Sequence, residues 1–311
     1  MSAEECVLTI IVPVYNRATV VERTLDSIAA QSHRPLSLII VDNNSADDSA
    51  AVVERWARAQ RSDTFQITTA VETLPGATAA RNRGLQLATT PWVMFFDSDD
   101  TMVPSLVSEI VAATATDSRV DIIGWDRHVE VPGRSHLHLS RFDPVSHPIY
   151  RNLVHGMMCT TQYAARRELF ERAGRWNNDV KVWNDMELGL RLLLLDPVMK
   201  KLAGGVKVYV YNTPGSITNT HSSDSVSPAK EKALECCEAA ARAAGRDDIV
   251  KWVDYRRILL AAGYAKAGMH ADSRRLMATL TTRPRFVNSL IGYIHRLYPR
   301  GTHLFYPHRH P

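Results

Sequence analysis

Three carboxylates in four positions, those of Asp97, Asp99 and Asp100, directly follow an apolar segment over residues 92–96. Such a segment is typical of a buried strand, and open α/β sheets bind ligands in the crevice at the carboxyl ends of their strands. In an extended chain Asp97 and Asp99 point to the same side, where their like charges repel unless a cation lies between them. The spacing therefore indicates a hard divalent ion held by carboxylates and substrate phosphates. A turn followed by a helix N-cap is the alternative interpretation.

The ends of two earlier apolar segments carry a second group of candidate residues. Pro13, Tyr15 and Asn16 form a stiff strand-end loop that could offer backbone groups and an aromatic ring to a planar ligand. Asp42 ends the next segment and could accept a hydrogen bond from a base or a ribose. Both groups are equally typical of strand-to-helix turns, in which Asn and Asp cap the following helix.

Two further candidates belong to predicted helices. A helix beginning at residue 77 places Arg81 near a strand end, where its guanidinium could clamp a diphosphate. The alternative is an ordinary solvated arginine. Asp185 opens an amphipathic helix and could be aimed into a cleft as a general base. It could equally be an N-terminal carboxylate that complements the helix dipole.

Alternating strand and helix patterns must position these residues. The strand patterns cover residues 7–14, 36–41, 65–70 and 92–96, with helical patterns between them. This order predicts an α/β fold with a mostly parallel sheet and helices on both faces. Residues 126–150 contain four His and three Pro with little periodicity, and we interpret them as a long loop near the site.

The rest of the chain becomes increasingly helical. Helical patterns cover residues 166–173 and 184–195, and an apolar strand pattern covers 206–211. Beyond a Ser-rich boundary near 220–228, the sequence predicts helices over residues 229–244, 248–268, 271–281 and 284–298.

Composition limits the classes of function. The chain of 311 residues suggests two units, and its net charge of +4 is too small to indicate a nucleic-acid partner. That charge suits an anionic substrate or an anionic membrane surface. The four cysteines show no Cys-x-x-Cys spacing, and we expect reduced thiols in a cytoplasmic protein. No apolar run approaches the roughly 18 residues of a membrane span.

Five motifs in this order resemble the family 2 inverting glycosyltransferases, which have the GT-A fold. They are Ile10–Asn16, Ile39–Ser45, Ala80–Gly84, Phe96–Asp100 and Asn184–Leu188. The resemblance covers roughly residues 7–218 and implies a GT-A catalytic domain over 1–220. That domain divides into a nucleotide-sugar half (1–103) and an acceptor half (104–220), and a helical region follows over 221–311.

The resemblance also implies roles for individual residues. The residues expected at the nucleotide sugar are Pro13, Tyr15, Asn16, Asp42, Arg81, Asp97 and Ser98. Asp99 is expected to bind Mn2+ or Mg2+, and Asp185 to act as the catalytic base, whereas Asp100 is left to the turn. Two positions depart from the family pattern. Asn184 stands where a Glu usually precedes the catalytic Asp, and Thr213 stands where many members have a late His near the metal; His221 could substitute for it.

The implied reaction moves a sugar from a nucleotide-diphosphate sugar, with a UDP-sugar favoured, to a hydroxyl of a glycan, lipid-linked or protein acceptor. Surface polysaccharide or glycan assembly is the expected setting. The alternatives are a catalytically degenerate nucleotide-sugar-binding protein and a nucleotidyltransferase. Residues 283–311 mix aromatic and cationic side chains, which predicts either peripheral contact with the inner face of the cell membrane or a helical cap with a loose tail.

Overall fold

The computed structural model describes residues 6–131, 137–213 and 228–281. The strands are Leu8–Val14 (β1), Leu36–Asp42 (β2), Phe65–Val71 (β3), Trp92–Phe95 (β4), Thr101–Met102 (β5), Ile122–Val129 (β6), His138–Ser140 (β7), Tyr163–Arg166 (β8) and Met199–Val210 (β9). The α-helices are Val21–Ala29 (α1), Ser49–Gln60 (α2), Ala77–Leu87 (α3), Leu106–Thr116 (α4), Pro148–His155 (α5), Arg167–Arg172 (α6), Asn184–Leu193 (α7), Pro228–Ala243 (α8), Asp247–Lys266 (α9) and His270–Ala278 (α10). A 3-10 helix covers Thr160–Gln162.

The strands form one sheet in the order β3-β2-β1-β4-β8-β6-β9-β5, with β7 beside β6. Its first half is parallel, because β1 pairs with β2 and β4, and β2 pairs with β3, all in parallel register. Every residue of β1 is buried, as expected of a central parallel strand covered on both faces. The carboxyl ends of these strands therefore share one edge of the sheet.

Helices cover both faces of the sheet, as predicted. Ile10 and Val12 of β1 belong to a core that includes buried side chains of α1, α2 and α4. Ile11 belongs to a second core with side chains of α3, α6 and α7. Successive strand side chains point to opposite faces, so a single apolar strand supplies both layers.

The second half of the sheet is mixed and departs from the predicted pattern. β8 pairs antiparallel with β4 and β6, whereas β6 and β9 are parallel. The loop predicted over 126–150 is wrong in part, because β6 extends to Val129, β7 pairs with it, and α5 begins at Pro148. Pairing with β7 and β9 holds this polar segment in the sheet, and its register with β9 shifts around Asp126.

Gly84 determines how closely α3 approaches β1. A Cβ atom at this position would lie 2.3 Å from Ile11 Cγ2, and Gly84 is buried within the helix. We expect Gly84→Ala to destabilise the protein, since overpacking costs about 1–3 kcal/mol and the gain in helix propensity is only about 1 kcal/mol. Urea unfolding measures this loss. Gln86→Ala, an exposed change in the same helix, is the control, and equal stability of the two variants would contradict the close packing.

The three C-terminal helices pack against the rest of the protein through a third core. Leu153 of α5 and Met186 and Leu190 of α7 contribute to it, together with Leu234 of α8 and Val253 of α9. The helices predicted over 229–244, 248–268 and 271–281 are confirmed to within a few residues. The predicted boundary and the helix predicted over 284–298 fall largely or wholly outside the described residues. None of the described helices combines the length and apolar character needed to cross a membrane.

Candidate active site

The acidic segment after β4 is both a turn and a cluster of charges. The Asp100 amide donates to the Asp97 carbonyl at 3.4 Å, which closes the turn. Asp97 Oδ1 accepts a hydrogen bond from Arg81 Nη2 at 2.7 Å. The Thr213 hydroxyl donates to Asp99, and Arg17 Nε lies 3.6 Å from Asp99 Oδ2. The segment is therefore a turn as well as a charge cluster, but the predicted helix N-cap is wrong, because β5 follows the segment and α4 begins only at Leu106.

The environments of Asp99 and Asp100 separate their roles. Burial raises the pKa of Asp99, as does the charge of Asp97, while Thr213 and Arg17 oppose the increase. Burial also raises the pKa of Asp100, well above its usual range, and the charges of Asp97 and Asp99 add to the effect. Asp100 is only 2% exposed and accepts a hydrogen bond from the Tyr211 amide at 3.3 Å. Its carboxyl group therefore belongs to the turn and to the end of β9.

Arg81 joins the acidic segment to the start of α7. The side chain is buried, so the interpretation of a solvated surface arginine is wrong. While one nitrogen binds Asp97, Nη1 donates to Asn184 Oδ1 at 3.4 Å. The guanidinium carbon lies 4.5 Å from the centre of the Trp176 ring. One buried cation thus links the carboxylates after β4 to the residue that precedes Asp185.

The ends of β1 and β2 form a connected pair of loops. Asn16 adopts a left-handed conformation with φ 51°, and its Oδ1 accepts a hydrogen bond from the Ala46 amide at 2.8 Å. Tyr15 beside it is 57% exposed. Asp42 accepts a hydrogen bond from the Ser45 amide at 3.2 Å through Oδ2. Its Oδ1 is buried without a hydrogen-bond partner among the described residues, an arrangement that a ligand N–H or O–H could relieve.

Pro13 and Ser98 are placed differently from their predicted neighbours. Pro13 is buried in β1 and pairs with Val41 of β2. It lies two residues past Ile11, which is the last residue of β1 that pairs with β4. Proline has no backbone N–H to donate. This is tolerated at Pro13 because β4 does not pair with that part of β1. Ser98 is also buried, between two acidic residues of the turn. We therefore expect these two residues to shape the site more than to contact a ligand through their side chains.

Asp185 is the second residue of α7 and is partly exposed. Its Oδ1 accepts a hydrogen bond from the Met186 amide at 2.8 Å. Trp183, just before the helix, is left-handed with φ 59°, which sets the direction in which the chain enters α7. Burial raises the pKa of the Cys159 thiol to about 12, and the charge of Asp185 and a hydrogen bond to it contribute. Burial, together with the Asp185 charge, also raises the pKa of Tyr163.

Two arginines of the site were missed by sequence reasoning. Arg17 directly follows Tyr15 and Asn16, so its place in the first motif was an available signal. Arg127 of β6 lies in the segment interpreted as a loop. Burial opposes its positive charge, yet Cys159, Asp100 and Asp185 outweigh that effect and raise the pKa of Arg127. Nothing in the local sequence distinguishes it from a solvated arginine.

The residues fit a metal ion only if a substrate completes its coordination. Among the described residues, no group of three or more His, Cys, Asp and Glu side chains is placed to hold a metal. Asp97 and Asp99 remain, and Mg2+ is usually bound by one or two carboxylates together with substrate phosphates. Thr213, at the position of the family's late His, contacts Asp99. His221 lies outside the described residues.

Comparison with known proteins identifies the family. The model for glycosyl transferase family 2 matches residues 9–174, more than half of the chain. The chain belongs to glycosyl transferase family 2. This match confirms the resemblance inferred from the five motifs, and it includes the loops after β1 and β2, Arg81 and the acidic segment. Asp185 lies beyond the matched residues.

The chain is also similar to two bacterial glycosyltransferases. The uncharacterized glycosyltransferase EpsJ of Bacillus subtilis is 26% identical over 221 residues, which cover 68% of this chain and 62% of EpsJ. The chain thus spans less than two thirds of EpsJ. A PGL/p-HBAD biosynthesis glycosyltransferase of Mycobacterium bovis is 27% identical over 213 residues, covering 68% of this chain and 79% of the relative.

Two solved structures share the fold of this chain. S. aureus TarS 1–349 in complex with UDP-GlcNAc has a TM-score of 0.68 at 19% identity, covering 96% of this chain and 88% of that one. The mannosyltransferase PcManGT of Pyrobaculum calidifontis, in complex with GDP-Man and Mn2+, has a TM-score of 0.59 at 19% identity, covering 94% and 80%. With the family match, these similarities confirm the predicted α/β fold of GT-A type.

Proposed function

We propose that this member of glycosyl transferase family 2 is an inverting glycosyltransferase that moves a sugar from a nucleotide-diphosphate sugar to an acceptor hydroxyl. One observation carries the proposal. Arg81 binds Asp97 at 2.7 Å and Asn184 at 3.4 Å, so the carboxylates expected at the donor and the residue before the expected base share one buried cation. This shared contact supports a donor and a base at the same edge of the sheet.

The donor is proposed to lie along the ends of β1, β2 and β4. Tyr15 offers an exposed ring, and Asp42 Oδ1 offers a buried acceptor for a base or ribose. Arg81 is proposed to lie near the diphosphate, and Asp97, its ion-pair partner, to contact the nucleotide sugar. The similar structures hold UDP-GlcNAc and GDP-Man, which supports a nucleotide sugar as the donor class. We propose a UDP-sugar.

Asp99 is proposed to hold Mn2+ or Mg2+ together with the donor diphosphate, and Asp97 to contact the nucleotide sugar. Such an ion, when bound, neutralises the charge that develops on the departing diphosphate. The similar mannosyltransferase structure contains Mn2+, which supports the choice of metal. The chain's own contribution is to keep Asp99 oriented through Thr213 and Arg17.

Asp185 is proposed to remove the proton from the acceptor hydroxyl. The acceptor oxygen forms a bond to the anomeric carbon as the bond from that carbon to the diphosphate oxygen breaks on the opposite face. The configuration at the anomeric carbon therefore inverts in one displacement. Holding the two reactants in line supplies much of the acceleration. We propose a glycan, lipid-linked or protein hydroxyl as the acceptor.

A nucleotide-sugar-binding protein without transfer activity is the second candidate. This candidate is favoured by Asn184, which has an amide where the family usually has a Glu. The Oδ1 atom of Asn184 already accepts a hydrogen bond from Arg81. Nucleotidyl transfer is less favoured, because the loop after β1 lacks a Gly-rich basic sequence and the family is one of glycosyltransferases. Membrane contact through residues 283–311, outside the described part of the chain, stays a prediction for liposome flotation.

A thermal-shift screen of nucleotide sugars tests the proposal. We expect a UDP-sugar to raise the melting temperature in Mn2+ and not in EDTA, because a ligand of the native state stabilises it according to its concentration over its dissociation constant. With the stabilising donor, release of sugar to water should accompany Mn2+ addition. Binding without any release or transfer would favour the second candidate. No stabilisation by any nucleotide sugar would contradict both.

A further inference from the structure

The C-terminal helices contact the segment that carries Asp185. Arg256, in the middle of α9, is buried, and its Nη2 lies 3.5 Å from the sulfur of Met186. The guanidinium carbon of Arg256 also lies 4.2 Å from the centre of the Trp183 ring. Lys230 of α8 is fully buried, with its Nζ 5.4 Å from the centre of the same ring. Two cations from two C-terminal helices thus contact Trp183.

These contacts fall on both sides of the candidate base. Trp183 lies two residues before Asp185, in a left-handed conformation that is unusual for a bulky residue, and Met186 follows directly. The Trp183 carbonyl accepts the Glu187 amide at 3.0 Å, which starts the helix. A strained conformation persists only where surrounding contacts hold it. An arginine over the ring supplies such a contact through cation–π attraction, which is stronger when desolvated.

We propose that Arg256 is a positioning residue for Asp185, holding Trp183 and Met186 so that the carboxylate is aimed at the acceptor. The proposal rests on the function proposed above and deepens it by assigning the C-terminal helices a part in the reaction. Those helices would be required for transfer although the donor lies along the first half of the sheet.

The test compares three variants of the full chain. Arg256→Met removes the charge and keeps an unbranched side chain on Trp183. Arg256→Lys keeps the charge without the planar group. Arg257→Gln is the matched control, because Arg257 is a buried arginine at the next position of α9 that instead pairs with Glu238 at 2.5 Å and Asp254 at 3.0 Å. Hydrogen exchange over residues 183–187, kcat for transfer and donor affinity are measured for each.

We expect Arg256→Met to increase hydrogen exchange over residues 183–187 and to leave donor affinity unchanged. It should lower kcat by roughly 100-fold, which is the loss that a misplaced catalytic group causes. Arg256→Lys should recover part of kcat, and Arg257→Gln should change stability without altering exchange over 183–187 or kcat. Unchanged exchange in Arg256→Met, or an equal response in Arg257→Gln, would overturn the positioning role. A wild-type protein that transfers no sugar, while its exchange responds as expected, would instead refute the proposed reaction and leave the contact with the Asp185 segment standing.

Discussion

Asp185→Asn is expected to abolish sugar transfer while the protein folds and binds its donor. The amide keeps the size of the side chain and an oxygen for the Met186 amide, so the start of α7 should be preserved. It cannot take a proton from the acceptor hydroxyl at neutral pH. Loss of a general base typically costs 10²–10⁴-fold, and we expect a decrease in kcat of about 1,000-fold. Steady-state transfer assays measure it, with donor affinity determined by calorimetry.

The matched control is Asp63→Asn, an identical chemical change at an exposed position before β3. It should transfer sugar at the wild-type rate. Turnover at that rate by Asp185→Asn would remove Asp185 from the role of base. A variant that also loses donor binding would point instead to a contact between Asp185 and the donor.

The parallel half of the fold was readily predicted from the sequence. Central parallel strands are buried on both faces, and the mostly apolar runs over residues 7–14 and 36–41 therefore identify them without knowledge of their partners. Residues that end these strands must share one edge, which is why Tyr15, Asp42 and the acidic segment could be grouped in advance.

The antiparallel half could not be predicted in the same way. Thr101–Met102 and Tyr163–Arg166 are too short to show a period, and their pairing partners lie far away in sequence. The second half of β6 is polar and only partly buried, so its composition is that of a loop. Arg127 is hidden for the same reason, since only the fold surrounds it with Asp100 and Asp185.

The departures from the family pattern gain a physical meaning in the structure. Thr213, predicted to replace a late His, donates a hydrogen bond to Asp99. Asn184, predicted to replace a Glu, accepts one from Arg81. Thr213 and Asn184 are both neutral. A charged side chain at either position would change the balance of charge between the aspartates and the three arginines around them. Arg17, Arg81 and Arg127 therefore contribute to the electrostatics of the proposed donor site together with its carboxylates.

The second large effect is a loss of donor affinity, which is expected for Asp99→Asn. Asp99 is the carboxylate proposed to bind the metal with the donor diphosphate, and the amide retains an oxygen for Thr213. Even changes in the outer shell of a metal site cost about 10–100-fold in affinity. We therefore expect Asp99→Asn to lower donor affinity in Mn2+ by more than about 100-fold, to the level that the wild-type protein shows in EDTA. Isothermal titration with the donor measures the affinity.

Asp100→Asn supplies the sharpest control, because it makes the same change one residue away. Burial already favours the neutral form of Asp100, and the amide can still accept the hydrogen bond from Tyr211, so donor affinity should stay close to that of the wild type. Equal losses in the two variants would mean that the turn as a whole, rather than one carboxylate, determines donor binding. Wild-type affinity in Asp99→Asn would remove Asp99 from the metal site and leave Asp97, Arg81 and Arg17 to hold the diphosphate.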